Sequence, residues 1–121
     1  MTATLCIGAA HWDLLARAAV PLGPGSDAPG RILRRPGGVA LNVALGLAAA
    51  GRPTGLLATV GRDPEGDRIA ALAAAAGIDL ARLLRRDGPT DVYLAIEGPE
   101  GALFAAVADC AGLEAAGAAL L

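Results

Sequence analysis

Apolar residues in this chain fall into short runs bounded by glycine, proline or charge, with longer alanine and leucine stretches between them. Thr4-Leu5-Cys6-Ile7-Gly8 reads as a buried strand ending in an open loop over residues 9–13. Leu14 to Val20 continues as an extended arm, and the prolines and glycines of residues 21–30 mark a loop. Arg31-Ile32-Leu33-Arg34-Arg35 predicts a short, half-exposed strand. A largely apolar helix follows Gly38 and runs to about Ala50, where Gly51 supplies a stop. Leu56 to Val60 is a second buried strand, and Gly61 to Gly66 turns the chain into a helix over Asp67–Ala76 that Gly77 ends. Ile78 to Arg85 starts a further strand, and Thr90 to Ile96 is a clearer one. Glu97 to Gly101 reverses the chain, Ala102 to Ala108 returns as an antiparallel partner, and Leu113 to Leu121 reads as helical. Short apolar strands alternating with helices predict an α/β fold built on parallel strands.

Composition sharpens this picture. A chain of 121 residues suffices for one domain with a modest core. Hydrophobic residues make up 55% of it, yet much of that is alanine, and Trp12, Tyr93 and Phe104 are the only aromatics. The core therefore depends on close backbone approach and on Leu, Ile and Val. Ten basic against twelve acidic residues give a formal net charge of -2, and no basic block is interleaved with aromatics, so a nucleic-acid partner is not expected. The arginine groups 31, 34, 35 and 82, 85, 86 read as solvated faces. Cys6 and Cys110 lack CxxC spacing and His11 is the only histidine, so neither a metal site nor a disulfide is indicated. No basic leader or long apolar segment of about 18 residues occurs, so no membrane partner is expected and a cytoplasmic location follows by default.

The candidate chemistry sits where the first long helix begins. Gly37 and Gly38 permit a turn and a close approach that side chains would block, and Asn42 is the one polar side chain a turn inside that helix. Helix-terminal N–H groups together with an amide that both donates and accepts suit sugar hydroxyls. The same residues also serve a plain turn in which Asn42 satisfies neighbouring backbone. A dinucleotide-binding reading fails on spacing, because Gly8-Ala9-Ala10-His11 does not give G-x-G-x-x-G.

Cys6 to Asp13, Pro36 to Ala44 with its GG-x-x-x-N block, Gly51, and Val60 to Gly66 together resemble the amino-terminal half of the ribokinase-like (PfkB) carbohydrate and nucleoside kinases. Residues 1–121 then correspond to the amino-terminal part of such a kinase domain, and the segments before Gly37, Thr90 to Tyr93 and Leu103 to Asp109 are most similar to pseudouridine kinases. The resemblance implies a three-layer, Rossmann-type α/β sheet with a small β lid over segments 14–36 and 88–108, incomplete in this chain. It implies ATP-dependent transfer of a phosphoryl group, with Mg²⁺, to a hydroxymethyl group of a sugar or nucleoside. It also implies an acceptor site made by Asp13, Gly37, Gly38 and Asn42. Asp13 otherwise serves as a helix cap or loop ion pair. His11 stands where the family often has asparagine and can bond a ligand or simply pack; it is not assigned as a base. Asp63 reads as a helix-terminal or turn residue. The family's carboxyl-terminal Gly-Ala-Gly-Asp block, which carries the base and receives phosphates, does not occur, so nucleotide- and metal-binding residues are not recognisable and the chain is expected to be inactive alone. The unfinished apolar end suggests a chain cut short. The other reading is a sugar- or nucleoside-binding module that self-associates as a homodimer to cover an open sheet.

Overall fold

The computed structural model describes residues 3–120. Strand β1 (Thr4–Ile7) leads through a three-residue link into β2 (His11–Ala18), and β3 (Gly30–Gly37) returns antiparallel to β2. Helix α1 (Val39–Ala49) carries the chain to β4 (Thr54–Gly61), which pairs parallel with β1. Helix α2 (Pro64–Ala75) and β5 (Leu83–Arg86) follow, then the hairpin of β6 (Val92–Glu97) and β7 (Leu103–Asp109). A short helix α3 (Gly112–Ala116) and a 3-10 turn (Gly117–Leu120) close the described chain.

Two sheets result. One is parallel, in the order β1-β4-β5; the other has four strands in the order β3-β2-β6-β7. Buried Leu56, Ala58 and Val60 of β4 meet Leu41 and Ala44 of α1 and Ile69 and Ala73 of α2 in one core, which Trp12 extends to the foot of the second sheet. Strand β4 is buried along almost its whole length, as a central strand covered on both faces must be.

Several elements differ from the sequence expectation for physical reasons. Residues 11–13 lie in β2 rather than in a loop, because β2 is paired on both sides, with β3 and with β6, and those two ladders hold its start extended. The alternation of Trp12, Leu14, Ala16 and Ala18 against His11, Asp13, Leu15 and Arg17 is the two-residue strand period. Helix α2 starts at Pro64, three residues earlier than expected, since proline suits the first helical turn and Asp63 caps it. Only Leu83–Arg86 of the stretch 78–85 becomes strand; Asp79 makes a single bridge to Gly55. The helix expected over 113–121 breaks at Gly117, and Leu121 lies outside the described residues. No helix among the described residues is long and apolar enough to cross a membrane.

Candidate acceptor site

The site is assembled where β1 ends, β2 and β3 meet and α1 begins. Gly38 precedes α1 with φ near +102°, and a Cβ there would run into the carbonyl of Ala9. The Leu41 N–H donates to that same carbonyl at 3.2 Å, so the first turn of α1 is fastened to the β1–β2 link. Gly37, buried and opposite His11 in the ladder, leaves the space that the Asp13 carboxylate fills; any Cβ at Gly37 would collide with it.

Asp13 is the polar centre of this junction. Its Oδ1 lies 2.8 Å from Nε2 of His11, an ion pair only when the ring is protonated, and both side chains are about 15% exposed (15% for Asp13, 16% for His11). That distance comes without hydrogen-bond alignment: Oδ1 is buried and no group among the described residues donates to it. A buried carboxylate oxygen left without a donor is costly, and a ligand hydroxyl would satisfy it. The other face of His11 is set by Tyr93, whose ring stacks on it with centroids 6.1 Å apart, and by Cys110, whose sulfur is 3.8 Å from Nδ1. The Cys110 thiol is pushed above its usual range by burial, reinforced by the negative charges of Asp91, Asp109 and Asp13. It is therefore held as S–H, which suits its donation to the Val92 carbonyl at 3.3 Å. Cysteine, histidine and aspartate in series here do not make an activated nucleophile.

Asn42 occupies the first turn of α1, exposed, and its side chain makes no hydrogen bond among the described residues. Thus the structure brings His11, Asp13 and Gly37 into direct contact, fastens Gly38 to the adjoining link, and leaves Asn42 free on the neighbouring helix. Tyr93 and Cys110 belong to the same cluster; the sequence marks Tyr93 only as the end of a resembling segment, and Cys110 carries no motif. Only the register of the β6–β7 hairpin brings them to His11.

A second polar knot sits beyond the first. Asp63 accepts from the Gly66 N–H at 2.8 Å, capping α2, and from the N–H and hydroxyl of buried Thr90, each at 2.6 Å. The Thr90 hydroxyl in turn accepts from the Gly61 N–H at 2.9 Å. Burial alone would raise the Asp63 pKa, but the two Thr90 bonds, the Gly66 bond and the Arg85 charge outweigh it and hold the carboxyl below its usual range. Asp63 is a structural clamp between the end of β4, the start of α2 and the approach to β6.

With this geometry in place, the comparisons decide the family. The sequence pattern of the pfkB family carbohydrate kinases matches residues 1–115. The chain belongs to that family. Among solved structures it is similar to a carbohydrate kinase from Agrobacterium tumefaciens, at 30% identity and a TM-score of 0.76 over 90% of this chain and 36% of that one. It is similar to a protein from Clostridium perfringens assigned as a sugar kinase, at 26% identity and a TM-score of 0.83 over 99% of this chain and 38% of that one. A fructokinase from Xylella fastidiosa with bound ATP matches at 27% identity and a TM-score of 0.69, over 88% of this chain and 32% of that one. No curated protein matches the sequence. The fold is the α/β ribokinase-like one, and the chain spans less than two-fifths of the length of these structures (38%, 36% and 32%).

Proposed function

We propose that this chain supplies the acceptor-binding half of an ATP-dependent kinase that phosphorylates a hydroxymethyl group on a sugar or nucleoside, with Asp13, Gly37, Gly38, Asn42 and His11 around the acceptor. The observation that carries the reading is the buried Asp13 Oδ1, to which no group among the described residues donates in hydrogen-bond alignment although His11 Nε2 lies 2.8 Å away, standing beside a glycine that no other residue can replace without displacing it. A carboxylate in that position accepts two hydroxyl hydrogen bonds and fixes a polyol without changing its own protonation. Gly38 and the α1 terminus bring backbone close, and Asn42 offers both a donor and an acceptor.

The residues present do not fit the nucleotide or its Mg²⁺. No group of three His, Cys, Asp or Glu side chains among the described residues could hold a metal ion, and the phosphate-receiving Gly-Ala-Gly-Asp block is not in the sequence. Those parts of the reaction, and the base, belong to residues supplied elsewhere, and the chain by itself binds acceptor without turning it over. The alternative of a self-associating binding module is favoured by one observation: Leu5 and Ile7 of the edge strand β1 and Val39 and Val43 on α1 are exposed.

Calorimetric titration of the folded chain with ribose, pseudouridine and adenosine tests the reading. Binding of at least one, weakened about tenfold or more by Asp13→Ala, is the expected result, since a lost hydrogen bond to a charged group has about that effect. Equal binding by the Asp13→Ala variant would sink it.

A further inference from the structure

The imidazole of His11 is caught between two hydrogen-bond acceptors. Its Nε2 lies 2.8 Å from Asp13 Oδ1, and its Nδ1 lies 3.8 Å from the Cys110 sulfur. A carboxylate offers only lone pairs. The Cys110 thiol spends its hydrogen on the Val92 carbonyl at 3.3 Å, and burial, with the charges of Asp91, Asp109 and Asp13, keeps it as S–H, so the sulfur also turns lone pairs toward the ring. A neutral imidazole has one N–H and meets one of these neighbours; the imidazolium has two and meets both. Even so, no N–H points along the line to Oδ1. The ring holds Asp13 by charge rather than by a directed bond, and an aligned hydroxyl can take its place.

Resting on the acceptor-site reading above, we infer that His11 is a proton-linked gate on Asp13: protonated in the free chain, it covers and neutralises the carboxylate, and it releases its proton to solvent when an acceptor hydroxyl donates to Oδ1. A hydroxyl bonded to Oδ1 disperses the negative charge that stabilised the imidazolium. The ring then keeps one proton, on Nδ1 toward Cys110, and its bare Nε2 stands as a second acceptor beside Oδ1. By linkage, protonation of the ring weakens acceptor binding by the factor with which the bound acceptor favours release. Affinity therefore rises with pH through the titration of the ring and levels off above it.

The other groups around the ring leave this response to His11. From β6, Tyr93 stacks on it, and Asp91 just before that strand is tied to Arg86 and to the Gly112 N–H. From β7 come Asp109 and, just beyond, Cys110, whose raised thiol stays protonated across neutral pH. From β3, Gly37 lies opposite His11 and Arg35 opposite Asp13, with no ion pair between Arg35 and Asp13. Arginine keeps its charge throughout. Helix α1 and the link over residues 8–10 carry no charged side chain.

His11 is the only histidine, so its ring signals are unambiguous in a proton NMR titration of the untagged chain. The titration is run with and without saturating ribose, pseudouridine or adenosine, and calorimetry of the same probes is run in buffers of different ionisation enthalpy. The ring's titration midpoint is expected to fall when a probe binds, with a proton released to buffer. Affinity is expected to be about tenfold higher near pH 8 than near pH 5, the range in which histidine changes charge. His11→Gln keeps a donor that does not titrate, and it is expected to bind the probe without proton release. A midpoint that rises or stays in place on binding, read on the parent chain alone, or proton release that survives in His11→Gln, overturns the gate and leaves the acceptor site standing. No binding by any of the three probes to the folded chain overturns the acceptor site and the gate together.

Discussion

At the scale of single residues, space matters more than contact. Asp13 can sit where it does only because position 37 has no side chain. Gly37→Ala is expected to abolish acceptor binding with the chain still folded, since the carboxylate can swing aside at modest cost; circular dichroism with titration in parallel checks this. Gly38→Ala is different. Its positive φ and the Ala9 carbonyl leave no such escape, and a loss of about 1–3 kcal/mol in urea unfolding is expected. Gly37 and Gly38 stand out in the sequence as a paired turn at the mouth of a helix, whereas Asp13, 24 residues earlier, comes in only with the family resemblance. Cys110 was not legible: its approach to His11 spans 99 residues of sequence and depends on a hairpin with a register shift at Ile96/Glu97. Asp63 was readable as a helix-terminal residue from Asp-Pro-Glu-Gly, but its partner Thr90, 27 residues on, carried no sign in the sequence.

At the scale of elements, the Asp63–Thr90 clamp ties the end of β4 and the start of α2 to the approach to β6. Thr90→Val removes the hydroxyl that donates to Asp63 and accepts from Gly61 in a buried setting, and a loss of about 1–3 kcal/mol is expected by denaturant unfolding. The Asp63 carboxyl is depressed in the folded chain, so its contribution is fully present above the ordinary aspartate range and disappears as pH falls through the lowered value. Unfolding midpoints measured on going from neutral pH into acid should therefore fall less steeply in Asp63→Asn than in the parent. A matching slope would remove Asp63 from the acid response. Element boundaries were less readable than element types. The start of β2 was taken by two ladders whose partners, β3 and β6, lie far along the chain, and the arginine-rich β3 is a strand because β2 pairs with it rather than because of burial.

At the scale of the whole molecule, the parallel sheet is open at β1. Parallel sheets are ordinarily covered on both faces, yet Ile7 is 65% and Val39 76% exposed, and together with Leu5 and Val43 they line a groove of about 350 Å³. Such a surface promotes association. Sedimentation of the chain is expected to show concentration-dependent self-association that Ile7→Lys and Val43→Lys together diminish. The alternation of strands and helices made the α/β class and the parallel pairing legible. The division into two sheets did not follow from that alternation, and only the family resemblance implied a separate β lid, since β2 continues β1 in sequence and yet pairs in a different sheet.

That division has a mechanical consequence. Asp13 belongs to the four-stranded sheet, whereas α1 packs on the parallel one, and only Gly8, Ala9 and Ala10 join β1 to β2. A molecule held by both Asp13 and the start of α1 would bridge the two sheets and so stabilise their junction by its binding free energy.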